Sequence, residues 1–354
     1  MKGLRMVMVI LFLSLGMAGG VEAVEKGRVV RIIEEREMVT AGEKHLYQRL
    51  EVVIGQNVKV EIENGDIPLA NLQRYKVGQK LVVEEIPQSG GKYQIVDYDR
   101  TEALVWLAVI FVALALIVGG WQGGTSIMGL VLSFAVVFKV LLPALIAGKD
   151  PLLWSIISAL MILPVTFFMS HGFNRKTMVA LVGTMFTLIM AGGLSILFAS
   201  WANLTGYASE EAGFVGGMLG LNLDMRGLLL SGMILGLVGV IDDVTVSQVA
   251  MVFQMKELSK SIKPGELFLR AMRVGRDHIA SMINTLILVY AAASIPLLML
   301  FVGANRSWGE LVNLEMVSEE LIRMLVGSIG VLASVPLTTF LAVVMAPKNT
   351  KQSL

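Results

Sequence analysis

The 354-residue chain contains no cysteine, which excludes disulfides, iron–sulfur clusters and thiolate zinc sites. Histidine is nearly as scarce, since His45, His171 and His278 are scattered and show no metal-ligand spacing. Charge is thin too: Asp, Glu, Lys and Arg make up 16% of the chain and the net charge is +1. Bulk charge therefore points to neither nucleic acid nor an acidic partner. No phosphate-binding P-loop or G-x-S-x-G elbow is present, so the sequence reads as no enzyme and calls for no cofactor. What remains is apolar, with 55% hydrophobic residues and a mean hydropathy of +0.73. That is too apolar for a soluble domain of this length and places most of the chain in a lipid bilayer. The 22 methionines fit apolar packing, as no Met-x-x-Met cluster stands out.

Four stretches differ in composition. Residues 1–23 carry Lys2 and Arg5, an apolar core and Val21-Glu22-Ala23, the layout of a signal peptide or an N-terminal anchor. Residues 24–100 alternate in β-rich runs, 27-GRVVRIIEE-35, 47-YQRLEVVIG-55, 57-NVKVEIEN-64, 80-KLVVEE-85 and 92-KYQIVDY-98, punctuated by Asn64-Gly65-Asp66 and Ser89-Gly90-Gly91. Twelve basic residues nearly balance thirteen acidic ones here. The expectation is a small antiparallel domain, an OB-like barrel or a sandwich. It lacks a basic face with stacking aromatics, so an envelope protein or exported substrate suits it better than nucleic acid.

Residues 101–346 follow as long apolar runs. Seven spans are expected, over 103–120, 125–147, 152–170, 178–201, 227–254, 278–303 and 321–346, giving an all-α polytopic bundle. The loops 171–177 and 256–276, with the tail 347–354, hold ten Lys and Arg. The alternate loops, 202–224 and 304–320, carry Glu210, Glu211, Asp224, Glu310, Glu315, Glu319 and Glu320. The positive-inside rule then puts the β domain outside and the C-terminus in the cytoplasm.

Span five holds 236-GLVGVIDDVTVSQ-248, with Asp242 and Asp243 side by side ~18 Å from its inner end near Gln254. A charge at that depth costs ~3 to 17 kcal/mol depending on the reference, so such residues usually face the bundle interior and carry function. Neighbouring helical positions point ~100° apart. Asp243 and Ser247 thus fall near a stripe with Gly232, Gly236 and Gly239, whose small size lets a second helix approach. That helix can come from the same chain or from another copy. Asp242 looks instead toward Thr245 and Val249, with Gln248 a further polar neighbour. Lys139 in span two lies ~21 Å from its inner end near Thr125, the same depth as the acids. It either pairs with them or snorkels toward the interface. The segment 264-PGELFLRAMRVGRDH-278 reads as an amphipathic interfacial helix with Arg270, Arg273, Arg276 and Asp277 on its cytoplasmic side. Span six then brings Ser281, Asn284 and Thr285 onto one face, where Asp243 is an expected partner or the hydroxyls act as simple interhelical glue.

Together 95-IVDYDR-100, 120-GWQGG-124, 172-GFNRKT-177, 183-GT-184, 204-LTGYASEEA-212, 222-NLDMRGLLLSG-232, 239-GVIDDVTVSQ-248 and 275-GRDHIASMINTLILVYAAASIPLL-298 resemble the YibE/F-like membrane proteins. The resemblance covers nearly the whole chain beyond residue 23 and implies a polytopic membrane protein, with little said of mechanism. Where the family pattern implies one acid in the 239–248 segment this chain has two, which leaves both Asp242 and Asp243 as candidates, with Asp243 the nearer equivalent. A more distant likeness, over about seventy residues, links the Gly-rich helix, its acids, the basic connector and the hydroxyl-bearing helix to the RND and SecD–SecF proton-driven exporters. It is an analogy of arrangement.

Two function classes stand: an ion-coupled transporter or export-assisting protein using the mid-membrane acids, and a receptor or assembly scaffold whose β domain binds an envelope partner. An intramembrane aspartyl protease is disfavoured, because adjacent acids on one helix diverge and Gly-Val-Ile-Asp stands where Gly-x-Gly-Asp is needed.

Overall fold

The computed structural model describes residues 25–40, 43–55, 57–65, 72–86, 91–218, 223–303 and 307–346. Residues 1–23 and the tail 347–354 lie outside the described residues. The chain divides at Gly119–Gly120 into two compact units.

In the first unit, alternating residues build five antiparallel strands: β1 (Glu25–Thr40), β2 (Glu43–Ile54), β3 (Val58–Asn64), β4 (Lys80–Glu85) and β5 (Tyr93–Tyr98). These match the five runs read from the sequence, with β1 reaching further. Their order is β3-β2-β1-β4-β5. Two register shifts in β1, at Val29/Arg31 and Ile32/Glu34, bend the long strand. The sheet curls into a half-barrel, bringing β3 and β5 close. Inside lie Val29, Leu50, Val52, Ile54, Ile62, Tyr75, Leu81 and Val83. One buried polar group, Gln48, donates to Tyr75 O (3.0 Å) and Glu35 Oε2 (2.8 Å) and accepts from Tyr75 N–H (2.8 Å). It ties the segment before β4 to the barrel wall and satisfies its own amide. Gly65 has φ +93°, and a Cβ there would lie 2.1 Å from Leu46 O, so no other residue fits this turn.

The sheet is fastened to the start of helix α1 (Thr101–Val136). Lys26 Nζ lies 3.2 Å from Asp99 and donates to Thr101 Oγ1 (3.0 Å), and Lys80 bonds Glu102. The helical path of α1 is broken at Gly120 (φ 56°, ψ −136°), where the two units divide.

Beyond Gly120, a wide π turn over Val137–Leu141 leads into α2 (Leu142–Ile146). Pro143 cannot donate to the carbonyl four residues back, and the bond from Leu142 N–H to Val137 O takes up the slack. Helices α3 (Pro151–His171) and α4 (Arg175–Trp201) start at side-chain caps: Asp150 accepts from Leu153 N–H (2.7 Å) and Asn174 from Thr177 N–H (2.9 Å). Then come α5 (Glu210–Met218), α6 (Met225–Leu258), α7 (Pro264–Ala293), α8 (Ile295–Gly303), α9 (Trp308–Leu311) and α10 (Glu315–Met345).

Among the described residues, five helical stretches are long and apolar enough to cross a membrane: Thr101–Ile146, Pro151–His171, Arg175–Trp201, Met225–Leu258 and Glu315–Met345. Helix α6 is central, packing against α3, α4, α7 and α10.

Four boundaries differ from the sequence reading. The separate spans 103–120 and 125–147 lie within one continuous apolar stretch, interrupted only by the break at Gly120. Nothing breaks the helix at residue 278, so the expected interfacial helix and the start of span six are one helix, α7. Its apolar residues Leu267 and Ala271 are buried in the bundle core rather than spread on a surface. The remainder of span six is cut at Ser294, just ahead of Pro296, and continues as α8. Finally, Glu315, Glu319 and Glu320 belong to the first turns of α10 rather than a loop. There Arg323 neutralises two of them, at 2.5 Å from Glu319 and 2.6 Å from Glu320.

Candidate functional site

Helix α6 presents two chemically different faces. On the inward face, Gln248 is 2% exposed, and its amide donates to Ala271 O (3.2 Å) and Thr339 Oγ1 (2.7 Å), joining α6 to α7 and α10. Gly275 of α7 makes room, since a Cβ there would meet Val335 at 2.6 Å and the Gln248 amide at 3.0 Å. A turn away, Thr245 and Thr184 share a hydrogen bond of 2.5 Å between α6 and α4. Polar groups in apolar surroundings are costly unless paired, and here each pair also sets helix register.

Asp242 flanks this face and is partly buried, with its Oδ1 shut from solvent and lacking a hydrogen-bond partner among the described residues. Its carbonyl accepts from Thr245 Oγ1 (3.0 Å). An unsatisfied carboxylate oxygen inside a bundle needs an explanation, and a water or a cation would supply one.

The outward face carries Gly232, Gly236, Gly239, Asp243 and Ser247, all exposed. A Cβ built on any of the three glycines meets nothing within 4 Å. The stripe read from the sequence is real, but no helix of this chain among the described residues is seated on it. Ser247 bonds the carbonyl of Asp243 (2.7 Å).

Several expected neighbours stand elsewhere. Lys139 sits in the π turn with its side chain exposed, and among the described residues no ion pair joins it to Asp242 or Asp243. Shared depth did not translate into contact because depth fixes only one of three coordinates. Ser281, Asn284 and Thr285 are exposed, and Thr285 bonds Ser281 O (3.0 Å) within α7, so this face is not packed against Asp243. The buried face of α7 is set by Leu267, Ala271, Gly275, Ile279 and Leu286. Arg270 pairs with Glu266 (2.5 Å), and Arg273, Arg276 and Asp277 are exposed on the first half of α7. Among the described residues no group of three His, Cys, Asp or Glu could hold a metal ion.

One group was missed. At the junction of α3 and α4, a cavity of about 170 Å³ is lined by Gln122, His171, Asn174, Lys176, Thr177, Ala180, Val246 and Ala250. Val246 and Ala250 are three and seven residues beyond Asp243, hence close to its face. Asp243 also acts electrostatically on His171. His171 carried no metal-like spacing, so only its place in the fold brings it to notice. Thr184 and Thr339 were likewise passed over; hydroxyls inside apolar runs were the available signal.

Comparison with protein families finds that the one described as YibE/F-like protein matches residues 107–348, more than half of the chain. Comparison with curated proteins and with solved structures gives no match.

Proposed function

Since the chain belongs to the YibE/F-like family and is an integral membrane protein, we propose that it is an ion-coupled transporter or export-assisting protein working through Asp242 and Asp243. The observation that carries this reading is the Asp242 Oδ1 atom, buried in the central helix without a hydrogen-bond partner among the described residues. Packing alone is better served by an apolar group at such a position; a partly buried acid beside a second acid suits a site that binds and releases a cation or proton. Switching a carboxylate between a wet and an apolar setting loads and unloads it.

We read the topology as seven crossings with the β half-barrel outside and the C-terminus in the cytoplasm. Thr101–Ile146 would stretch ~69 Å as one helix at 1.5 Å per residue, over twice the ~30 Å hydrocarbon core, and its break at Gly120 suits two crossings. The half-barrel is read as OB-like: the strand order and the approach of β3 to β5 fit a five-stranded, partly open barrel. Its part would be to meet an envelope protein or an exported substrate.

The test is proton or sodium flux in proteoliposomes. Asp242→Asn and Asp243→Asn should each lower flux by about tenfold or more, as expected when a buried charge is removed at ~1.4 kcal/mol per decade. Wild-type flux in the double variant overturns the proposal. A scaffold role is favoured by exposed Val58 on β3 and Val96 on β5, 60% and 53% accessible at the two sheet edges. That reading predicts no flux at all, and a defined cross-linked product from photoreactive residues at Val58 or Val96 in the full chain.

A further inference from the structure

Resting on that reading of Asp243, we propose that the cavity between His171 and Ala250 is a water-filled vestibule through which hydrated ions reach Asp243 from the side of the membrane where α3 ends and α4 begins.

The lining chemistry argues for water over lipid. Five of its eight residues are polar: Gln122, His171, Asn174, Lys176 and Thr177. At ~30 Å³ per molecule in the liquid, its volume holds several waters. The wall on the α6 side is Val246 and Ala250, which at three and seven residues beyond Asp243 lie near the same face of the helix. Local bonds define the turn beside it. Gly172 turns the chain with φ 73°, Asn174 caps α4 and donates to His171 O (2.7 Å), and Lys176 is held 3.2 Å from Glu257 of α6. The vestibule is thus walled by α1, the α3–α4 turn, the start of α4 and α6, with the Lys176–Glu257 ion pair beside it. Asp243, exposed within an apolar helix, gains a hydrated neighbour without crossing hydrocarbon. His171 is among the lining residues, within electrostatic reach of the acid.

Because the chain contains no cysteine, one introduced thiol at a time reports on its own surroundings. In sealed vesicles of both orientations, single variants Asp243→Cys, Val246→Cys, Ala250→Cys and Gly236→Cys are treated with a cationic, membrane-impermeant methanethiosulfonate. Ala250→Cys, Val246→Cys and Asp243→Cys should react from one face only. Gly236→Cys, two turns further along the same face, should react about tenfold more slowly or not at all, because the reactive thiolate is suppressed in apolar surroundings. In the Ala250→Cys background, His171→Phe should obstruct the cavity and slow labelling about tenfold, a similar scale, while His171→Gln leaves it unchanged. Equal protection of all four thiols would mean lipid covers this face and overturns the vestibule; so would labelling insensitive to His171→Phe. Labelling as described, with wild-type flux in the Asp242→Asn/Asp243→Asn double variant, would count against the transport reading alone, and flux sensitive to those substitutions without labelling against the vestibule alone.

Discussion

The inward and outward faces of α6 treat polar groups in opposite ways. Inward, Gln248, Thr245 and the space at Gly275 form a fitted joint, each polar atom answered by a neighbouring helix. Outward, three glycines, Asp243 and Ser247 are left open by the described residues of this chain. Asp242 lies at the edge between them, half enclosed and half unsatisfied. The difference teaches that a run of polar and small residues on one apolar helix need not have one purpose. The joint specifies how the bundle packs, and the open face is where exchange with a solvent, an ion or a partner can occur.

The contrast can be broken by substitution. Gln248→Ala should be the most damaging change, removing two interhelical hydrogen bonds and leaving a void, at about 3 kcal/mol. Unfolding titrations in detergent micelles would read the loss. Gly275→Ala comes next, at about 2 kcal/mol, because its Cβ would collide with Val335 and press on the Gln248 amide. Thr245→Val should cost less, about 0.6 kcal/mol, the average for polar contacts between membrane helices. Gly236→Ala on the open face should shift stability by no more than about 0.5 kcal/mol in either direction, as helix propensity favours alanine and nothing is struck. If Gly236→Ala proved as costly as Gly275→Ala, the outward face would be packed after all.

An acid whose oxygens are answered by neighbours sharpens the comparison with Asp242. The Asp99 carboxyl is pushed down to about 2, first by the Thr101 hydroxyl, then by the Thr101 N–H, and further by Lys26. Its folded value lies below the unfolded one, so the stability it lends is fully present above the ordinary carboxylate range. That contribution fades as pH falls from about 4 toward 2. Asp99→Asn should flatten this acid limb, followed by tyrosine fluorescence of the full protein through Tyr98. The effect is expected to be the smallest of the set, since Lys26 is largely exposed and screened by solvent.

Much of this architecture was legible beforehand. Alternation in 47–55 and 80–85 announced strands because period two survives whatever the partner. The chain's apolar mass announced a membrane protein, and Asp242 and Asp243 stood out because carboxylates are rare in such runs. That Lys139 makes no ion pair with the acids among the described residues was not legible, since a helical wheel gives direction only relative to its own axis. The merging of the interfacial helix into α7 was hidden for a different reason. A basic amphipathic stretch looks the same whether its apolar side meets lipid or, as Leu267 and Ala271 do, a protein core. His171 was invisible as a site residue because its neighbours, Gln122 and Ala250, are distant in the chain.

By itself, then, the order of residues determined the periodicities, the turns that demand glycine and the places where charge interrupts hydrocarbon, because these follow from local sterics and solvation. Only the tertiary structure decided which side of α6 is sealed and which is open, and that Gln248, not Lys139, meets a partner. Contacts between helices depend on their rotation and offset, and those are settled by the joint packing of many side chains at once.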